Sequence, residues 1–401
     1  MRVRRKTSLL LSLTATVATL AAVPIAASGA RHTPTTSGPA SPALGIKHVF
    51  VIVIENEGYA KTFTQNPNPY LGKTLQTQGT VLTQYYGTAH ESNPNYIAMI
   101  SGQAPNAMTQ SDCQDYVDFR PSPAVFDPRG NGQAVGQGCV YPSNVQTLAD
   151  QLDAKHITWH GYMGDMGNDV TREADRCGQP ASSSGTGMQD GTQSASAKDQ
   201  YAARHNPFVY FHSLIDSGSC ERNVVPLTHL AADLAHKATT PQFSFIVPNL
   251  CDDGHDGPCT GKDATGSNAG GLTSVDHFLS TYVPKIEASP AFGKDGLLLI
   301  MADESDAGSQ DATSCCGETF GPNSPLPGIY PESGNGQGGG LIGALAIGRC
   351  VRAGAKDATP YNHYSLLRSL EDLYGVNTHL GMAGASGLAS FGPDLFSSCK
   401  A

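Results

Sequence analysis

His48-Val-Phe-Val-Ile-Val-Ile54, followed at once by Glu55-Asn56, is the stretch on which the fold turns. Seven mostly β-branched residues without polar alternation read as a strand buried on both faces, the kind found in parallel sheets covered on each side. Three further runs carry the same signature: FSFIV at 243–247, LLLIM at 297–301, and residues 341–347. A weaker one lies at 157–162. Helical patterns separate them, at 69–78, 94–101, 145–154, 226–238, 273–287 and 361–374. Strands alternating with helices predict an α/β fold with a mostly parallel central sheet. Ligands of such sheets sit beyond the carboxyl ends of the strands, so the residues at those ends carry the chemistry.

Two of the apolar strands end in paired oxygen ligands, Glu55-Asn56 and Asp303-Glu304. Three carboxylates and an amide oxygen suit a hard divalent cation. Either pair alone reads as readily as a helix cap or a solvated loop. The segment Thr88-Ala-His-Glu-Ser-Asn-Pro-Asn-Tyr96 places Ser92 just ahead of a helix with Pro94 in its first turn. A serine there is an N-cap or a nucleophile, because a helix start offers free N–H groups and positive dipole to a phosphate. His90 and Asn95 are in reach of the same anion. Pro248-Asn-Leu-Cys-Asp-Asp-Gly-His-Asp-Gly257 follows the FSFIV strand with Asp252, Asp253, His255 and Asp256; it is a ligand cluster or an Asp/Gly turn. Tyr361-Asn-His-Tyr-Ser365 puts His363 at the start of a helix.

The order of these blocks resembles the phosphoesterase family of bacterial secreted acid phosphatases and phospholipases C, in the alkaline-phosphatase-like superfamily. The resemblance rests on Glu55-Asn56 after a strand, His90-x-Ser92-x-Pro94-Asn95-Tyr96, His205-Asn206-Pro207-Phe208, Pro248-Asn249 through Asp253-x-His255-Asp256, and Asp303-Glu304 followed by His363, over roughly residues 46–376. It implies a three-layer α/β/α fold with disulfide-stapled loops. It implies Ser92 as a phosphorylated nucleophile, and Glu55, Asn56, Asp303 and Glu304 as ligands of one divalent cation, Ca²⁺ or Mg²⁺ before Zn²⁺. Asp253, His255 and His363 match a second-metal position, or, for the histidines, the acid that protonates the leaving group. His90, Asn95, His205 and Asp253 are expected at the substrate. Two departures stand out: Ile54 precedes Glu55 where the family often has a second Glu, and Glu91 stands where proline is more usual.

The implied activity is a metal-dependent phosphomonoesterase acting on a phosphorylated small molecule or phospholipid. A phospholipase C-type diesterase is the alternative on the same scaffold, and a non-catalytic extracellular binding protein the alternative from another class. The chain length favours the phosphatases, since the phospholipases tend to carry a further C-terminal domain.

The rest of the chain sets the context. Arg2, Arg4, Arg5 and Lys6 precede an apolar run to Ile25 and small residues to Ala30, which reads as a secretory signal peptide over 1–30 and not a membrane span. Its removal takes four basic and no acidic residues, moving the formal charge from −10 to −14. That argues against nucleic acid or an anionic membrane as a simple electrostatic partner. Residues 31–45 read as a disordered lead-in and 46–401 as one domain. Ten cysteines without a Cys-x-x-Cys pair predict disulfides rather than zinc, and a secreted protein. Cys251 and Cys259 are placed to close a short loop; adjacent Cys315 and Cys316 are expected to bond to different partners. Long loops are expected at 103–143, 163–204 and 305–340.

Overall fold

The computed structural model describes residues 44–182, 189–306, 311–319, 321–323 and 338–396. The signal peptide, most of the lead-in, Cys399 and much of the 305–340 loop lie outside the described residues.

Eight strands form the main sheet: β1 (His48–Ile54), β2 (Thr80–Leu82), β3 (Trp159–Met163), β4 (Val224–Pro226), β5 (Phe243–Val247), β6 (Gly296–Ala302), β7 (Ala344–Gly348) and β8 (Ala355–Asp357). Their order is β8-β2-β7-β6-β1-β5-β3-β4. Only β7 runs against the rest. Every residue of β1, β5 and β6 is buried. A strand buried on both faces needs cover on both, which is the three-layer α/β/α arrangement. The continuous apolar runs therefore became the central strands, where side chains of either parity face hydrocarbon.

The main helices are α1 (Ser92–Ser101), α2 (Leu148–Ala154), α3 (Gly271–Ala288) and α4 (His363–Leu373). All ten residues of α1 are buried, and it packs on α4. Thr147 starts α2 with a reciprocal capping box to Asp150. In α3, Val275, Phe278, Leu279, Val283 and Ile286 form the buried stripe at helical spacing.

Several expectations are corrected. Residues 226–238 do not form one helix: Val224–Pro226 is an edge strand paired with Gly161–Met163, and only short turns of helix follow. The β-branched pair Val224-Val225 extends the sheet, and Pro226, which cannot donate to a ladder, ends it. Residues 69–78 do coil, but with wide turns over Tyr70–Leu75, where Asp276 of α3 accepts the backbone N–H groups of Tyr70 and Leu71 at 3.3 and 2.7 Å. The run at 341–347 becomes β7 and is antiparallel, a direction that hydrophobicity does not encode. Cys315 bonds to Cys316 itself, with Cys316 in a left-handed turn at φ 67°. Cys251–Cys259 closes its loop as expected, Cys113–Cys139 staples the 103–143 loop, and Cys177–Cys220 anchors the 163–204 loop. Within 103–143 an exposed two-stranded ribbon, Arg120–Phe126 with Ala134–Gln137, breaks what the sequence leaves as loop. Among the described residues no helix is long and apolar enough to cross a membrane.

Candidate active site

β1 and β6 lie side by side in register, Ile54 opposite Ala302. The residues that follow leave the sheet together. The Asp303 N–H donates to the Ile54 carbonyl at 2.9 Å, and the Asn56 N–H donates to Asp303 Oδ1 at 2.9 Å. This bond pins Asn56 in a left-handed turn, φ 49°. On the other flank of β1, the Glu55 N–H donates to the carbonyl of Asp253, which follows β5, at 2.8 Å. Three adjacent strands thus deliver Glu55, Asn56, Asp253, Asp303 and Glu304 to one rim. The four carboxylates among them are no more than 4% exposed.

Ser92 opens α1 at this rim. Its hydroxyl donates to Glu55 Oε2 at 2.7 Å, and Tyr96, one turn on, donates to Glu55 Oε1. Both oxygens of one buried carboxylate are therefore fixed by the first turn of α1. Glu91, immediately before, sits at φ 69°, ψ 147°. Backbone of this kind costs a non-glycine residue on the order of 1–3 kcal/mol and persists where surrounding structure imposes it. Proline, locked near φ −65°, cannot adopt it, which accounts physically for Glu91 where the resemblance leads one to expect proline.

The charges do not balance. Burial, then Asp303 and Asp253, raises Glu55 well above the ordinary range. Burial, then Asp303, does the same to Glu304. Burial raises Asp303 to about 6 and Asp253 to about 7. Asn56 Oδ1, Asp253 Oδ2 and Asp303 Oδ2 are buried without a hydrogen-bond partner. Gathered carboxylates with orphaned oxygens are what a hard cation would satisfy. Among the described residues no three His, Cys, Asp or Glu side chains stand ready as a metal cage; the donor set here includes the Asn56 amide and the Ser92 hydroxyl.

The histidines divide into buried and accessible. His90 lies between Glu304, through Nδ1, and the Asp311 carbonyl, 2.9 Å from Nε2, so it ties Glu304 to the following loop. His205 stacks on Tyr96 with ring centroids 5.3 Å apart, its Nε2 3.3 Å from Glu55 Oε2 and its Nδ1 3.9 Å from Asp253 Oδ2. Burial holds it well below the usual histidine value. His363, expected as an acid or metal ligand, is wholly buried; Nδ1 meets the Tyr85 hydroxyl at 3.2 Å and Nε2 the Asp303 carbonyl at 2.5 Å. Burial lowers it to about 4. With both ring nitrogens engaged, His363 braces the end of β6. His255 is half exposed; its hydrogen bond to Asp256, 2.8 Å, raises it. Asn95, expected at the substrate, uses its amide within the loop instead: Oδ1 accepts from the N–H groups of Thr88 and Ala89, and Nδ2 donates to the carbonyls of Ala89 and Glu91. It shapes the Thr88–Glu91 turn that presents Ser92.

One residue escaped the sequence reading. Arg204 stands 3.8 Å from Asp112, and its charge pulls down both Asp253 and Glu91 against burial. It is the basic side chain at this acidic rim, next to the His205-Asn206-Pro207-Phe208 block that pointed to the right place.

The model of the phosphoesterase family matches residues 61–377, a span that holds Ser92, Asp253, His255, Asp303, Glu304 and His363, while Glu55 and Asn56 precede it. The chain is 28% identical over 305 residues to a phosphate-repressible acid phosphatase of Penicillium chrysogenum, covering 75% of this chain and 53% of that one. It is 23% identical over 329 residues to the phosphatidylinositol-3-phosphatase of Mycobacterium tuberculosis, covering 82% and 77%. A solved structure from Vibrio parahaemolyticus, described as a protein in the alkaline phosphatase superfamily, aligns with TM-score 0.46 at 16% identity over 87% of this chain and 71% of that one. The chain spans about half the length of the Penicillium relative.

Proposed function

This chain belongs to the phosphoesterase family, and we propose from that premise that it is a phosphomonoesterase whose nucleophile is Ser92. The observation that carries the reading is the 2.7 Å hydrogen bond from Ser92 to Glu55, made where β1, β5 and β6 deliver four buried carboxylates, Asp253 and Asp303 each with an orphaned oxygen. Glu55, Asn56, Asp303 and Glu304, with the Ser92 hydroxyl, would hold one divalent cation, Ca²⁺ or Mg²⁺ before Zn²⁺ because the donors are all oxygen. Bound there, the cation supplies positive charge against the phosphoryl oxygens and favours the ionised hydroxyl.

The chain's own residues do the rest. The start of α1 turns its positive dipole end toward the phosphate, with the Asn93 N–H held by Asp112 Oδ1 at 2.9 Å, and Arg204 adds a basic side chain at the rim. Ser92 Oγ attacks phosphorus, its proton passing to the Glu55 carboxylate. The bond from phosphorus to the alcohol oxygen breaks, and that oxygen takes a proton from His255, the histidine here that is open to solvent. Water then attacks the phosphoserine while giving a proton back to His255, the bond from phosphorus to Ser92 Oγ breaks, and Ser92 departs with the proton that Glu55 returns. Positioning and charge, rather than new covalent chemistry, dominate such a reaction.

The substrate class we propose is a phosphate monoester, carried by a small molecule or a phospholipid. The two relatives, an acid phosphatase and a phosphatidylinositol-3-phosphatase, support it. Disulfides among the described residues support an exported protein. The test is release of p-nitrophenol from p-nitrophenyl phosphate, with and without chelator, by the wild type and Ser92→Ala. Release that needs a divalent cation and Ser92 is expected. Cleavage of bis(p-nitrophenyl) phosphate without cleavage of the monoester would replace the reading with a diesterase.

A further inference from the structure

Beyond the ends of β3, β4 and β5, on the same side of the sheet as Ser92, lies a cavity of about 430 Å³ that shares no residue with the site above. That volume is in the range of small-molecule pockets. Its walls are the turns that leave each strand: Asp165 after β3, Leu227 after β4, Asn249 and Asp252 after β5, closed by Tyr282 of α3. The frame is rigid. A Cβ at Gly164 would lie 2.3 Å from the Asn249 nitrogen, so the β3 and β5 turns pack backbone against backbone.

One buried side chain in this cavity is left with an open valence. Asp252 is 5% exposed, and its Oδ1 accepts the Ala264 N–H at 2.8 Å. Its Oδ2 receives no hydrogen bond from any described residue, and the residue lines the cavity. No described Lys or Arg forms an ion pair with it. Asp165 lines the same space, accepting the Gln200 N–H at 3.1 Å from a left-handed backbone at φ 60°. Asp263 differs: the N–H groups of Thr265 and Ser267, the Ser274 hydroxyl and His277 occupy its oxygens, so it holds the loop and offers a ligand little. Around the cavity four aspartates face two bases, Arg176 and Lys262. The net field favours a cation.

A divalent metal wants six or more oxygen donors in a tight shell. This space is wide and presents one unclaimed oxygen of a buried carboxylate, Asp252 Oδ2, beside an apolar wall. We propose that the cavity binds a small organic molecule bearing a primary ammonium, its charge on Asp252 Oδ2 beside Asp165 and its carbon skeleton against Leu227 and Tyr282. The proposal is independent of the phosphoesterase reading.

Benzylamine is the probe, with benzyl alcohol as its uncharged counterpart and CaCl₂ as the metal, all by isothermal titration calorimetry on the full chain. Benzylamine should bind saturably and benzyl alcohol at least tenfold more weakly. Asp252→Asn keeps the acceptor for the Ala264 N–H and should weaken benzylamine at least tenfold with an unchanged circular dichroism spectrum. Thr228→Trp, which fills the cavity from an exposed position, should abolish binding without touching either aspartate. Absent saturation by benzylamine, equal affinity in Asp252→Asn, or a Ca²⁺ site lost in Asp252→Asn would each overturn the proposal.

Discussion

The ends of β1 and β6 and the ends of β3, β4 and β5 belong to one sheet, point the same way, and are built differently. At the first, which Asp253 joins from the β5 turn, four carboxylates are packed away from water with the Ser92 hydroxyl among them, and buried oxygens go unpaired. At the second, acids and bases line an open space. Two like charges 4 Å apart repel by about 4 kcal/mol at an effective dielectric of 20, so the first arrangement persists only by taking up protons or a cation. At the second, burial pushes the Asp252 carboxyl up to about 8, while Asp175, Arg176 and Lys262 stay exposed to solvent. The turn Asn249–His255 is the partition: Asp253 faces Glu55 and His205, and Asp252, its neighbour in sequence, faces the cavity. Strand ends gather polar groups in either case; close packing with orphaned oxygens is what the proposed chemistry rests on, and room beside an unpaired oxygen of a buried carboxylate is what the proposed binding rests on.

The sharpest way to break this contrast is Ser92→Ala. It should lower kcat on p-nitrophenyl phosphate by at least about 10³-fold, as loss of a nucleophile does, while calorimetric binding of benzylamine stays at the wild-type value. Loss of both together would make the two regions one site. Next in size is Asp303→Asn, expected to reduce kcat roughly 10²-fold. It also separates the electrostatics. Ca²⁺ or Mg²⁺ at about a hundred times its Kd should stabilise the wild type by about 2.7 kcal/mol, read as a higher melting temperature, and Asp303→Asn should lose that gain. A wild-type melting temperature indifferent to both cations would remove the reason given for the packed carboxylates.

How much of this was legible in the sequence follows from what hydrophobicity encodes. His48–Ile54 and Phe243–Val247 coincide with β1 and β5 because strands buried on both faces have no other pattern to show. The three-residue strands β2, β4 and β8, the last two at the edges of the sheet, were missed: each draws its stability from neighbours far along the chain rather than from its own composition. In the site, Glu55, Asn56, Asp303 and Glu304 were legible as the first residues beyond strong strands, and Ser92 as the residue opening a helix. The duties of Asn95 and His363 were not, since residue type does not say whether an amide or imidazole finds its partners in its own loop. Arg204 carried no motif of its own; only the fold brings it from the 163–204 loop to Asp253 and Glu91. Nor did spacing reveal the cavity, which three separate turns enclose.

Arg204→Ala addresses the same contrast more gently. A charge-assisted contact to phosphate contributes about 1.5–3 kcal/mol, so KM for p-nitrophenyl phosphate should rise about tenfold with kcat reduced less. Lys262→Ala, the matching cation of the cavity, should leave KM where it was. Equal effects from both would mean that the acidic rim feels basic residues only through long-range field, and the assignment of Arg204 to the phosphate would fall.

The smallest effect on activity is expected from Glu371→Gln, which separates burial from function. Glu371 is wholly buried in α4, accepts the Leu380 N–H at 2.8 Å, and has its other oxygen unpaired. Burial pushes it up to about 8, against about 4.3 in an unfolded chain. Between those values the folded protein holds a proton that the unfolded chain has released, so this contribution to stability is complete below about pH 4 and is lost as pH rises through 8. One proton sets a limit of about 1.4 kcal/mol per pH unit. Gln keeps the acceptor for Leu380 and carries no titrating proton. Melting temperatures of Glu371→Gln should therefore fall less between pH 5 and 8 than those of the wild type, with kcat unchanged. The difference between the two proteins should be the same in chelator and in Ca²⁺, because Glu371 is buried without a site around it. A difference that vanished on adding Ca²⁺ would show that burial in α4 and cation binding at the Ser92 rim are not separate, and the distinction drawn between packed carboxylates that serve chemistry and those that do not would lose its control.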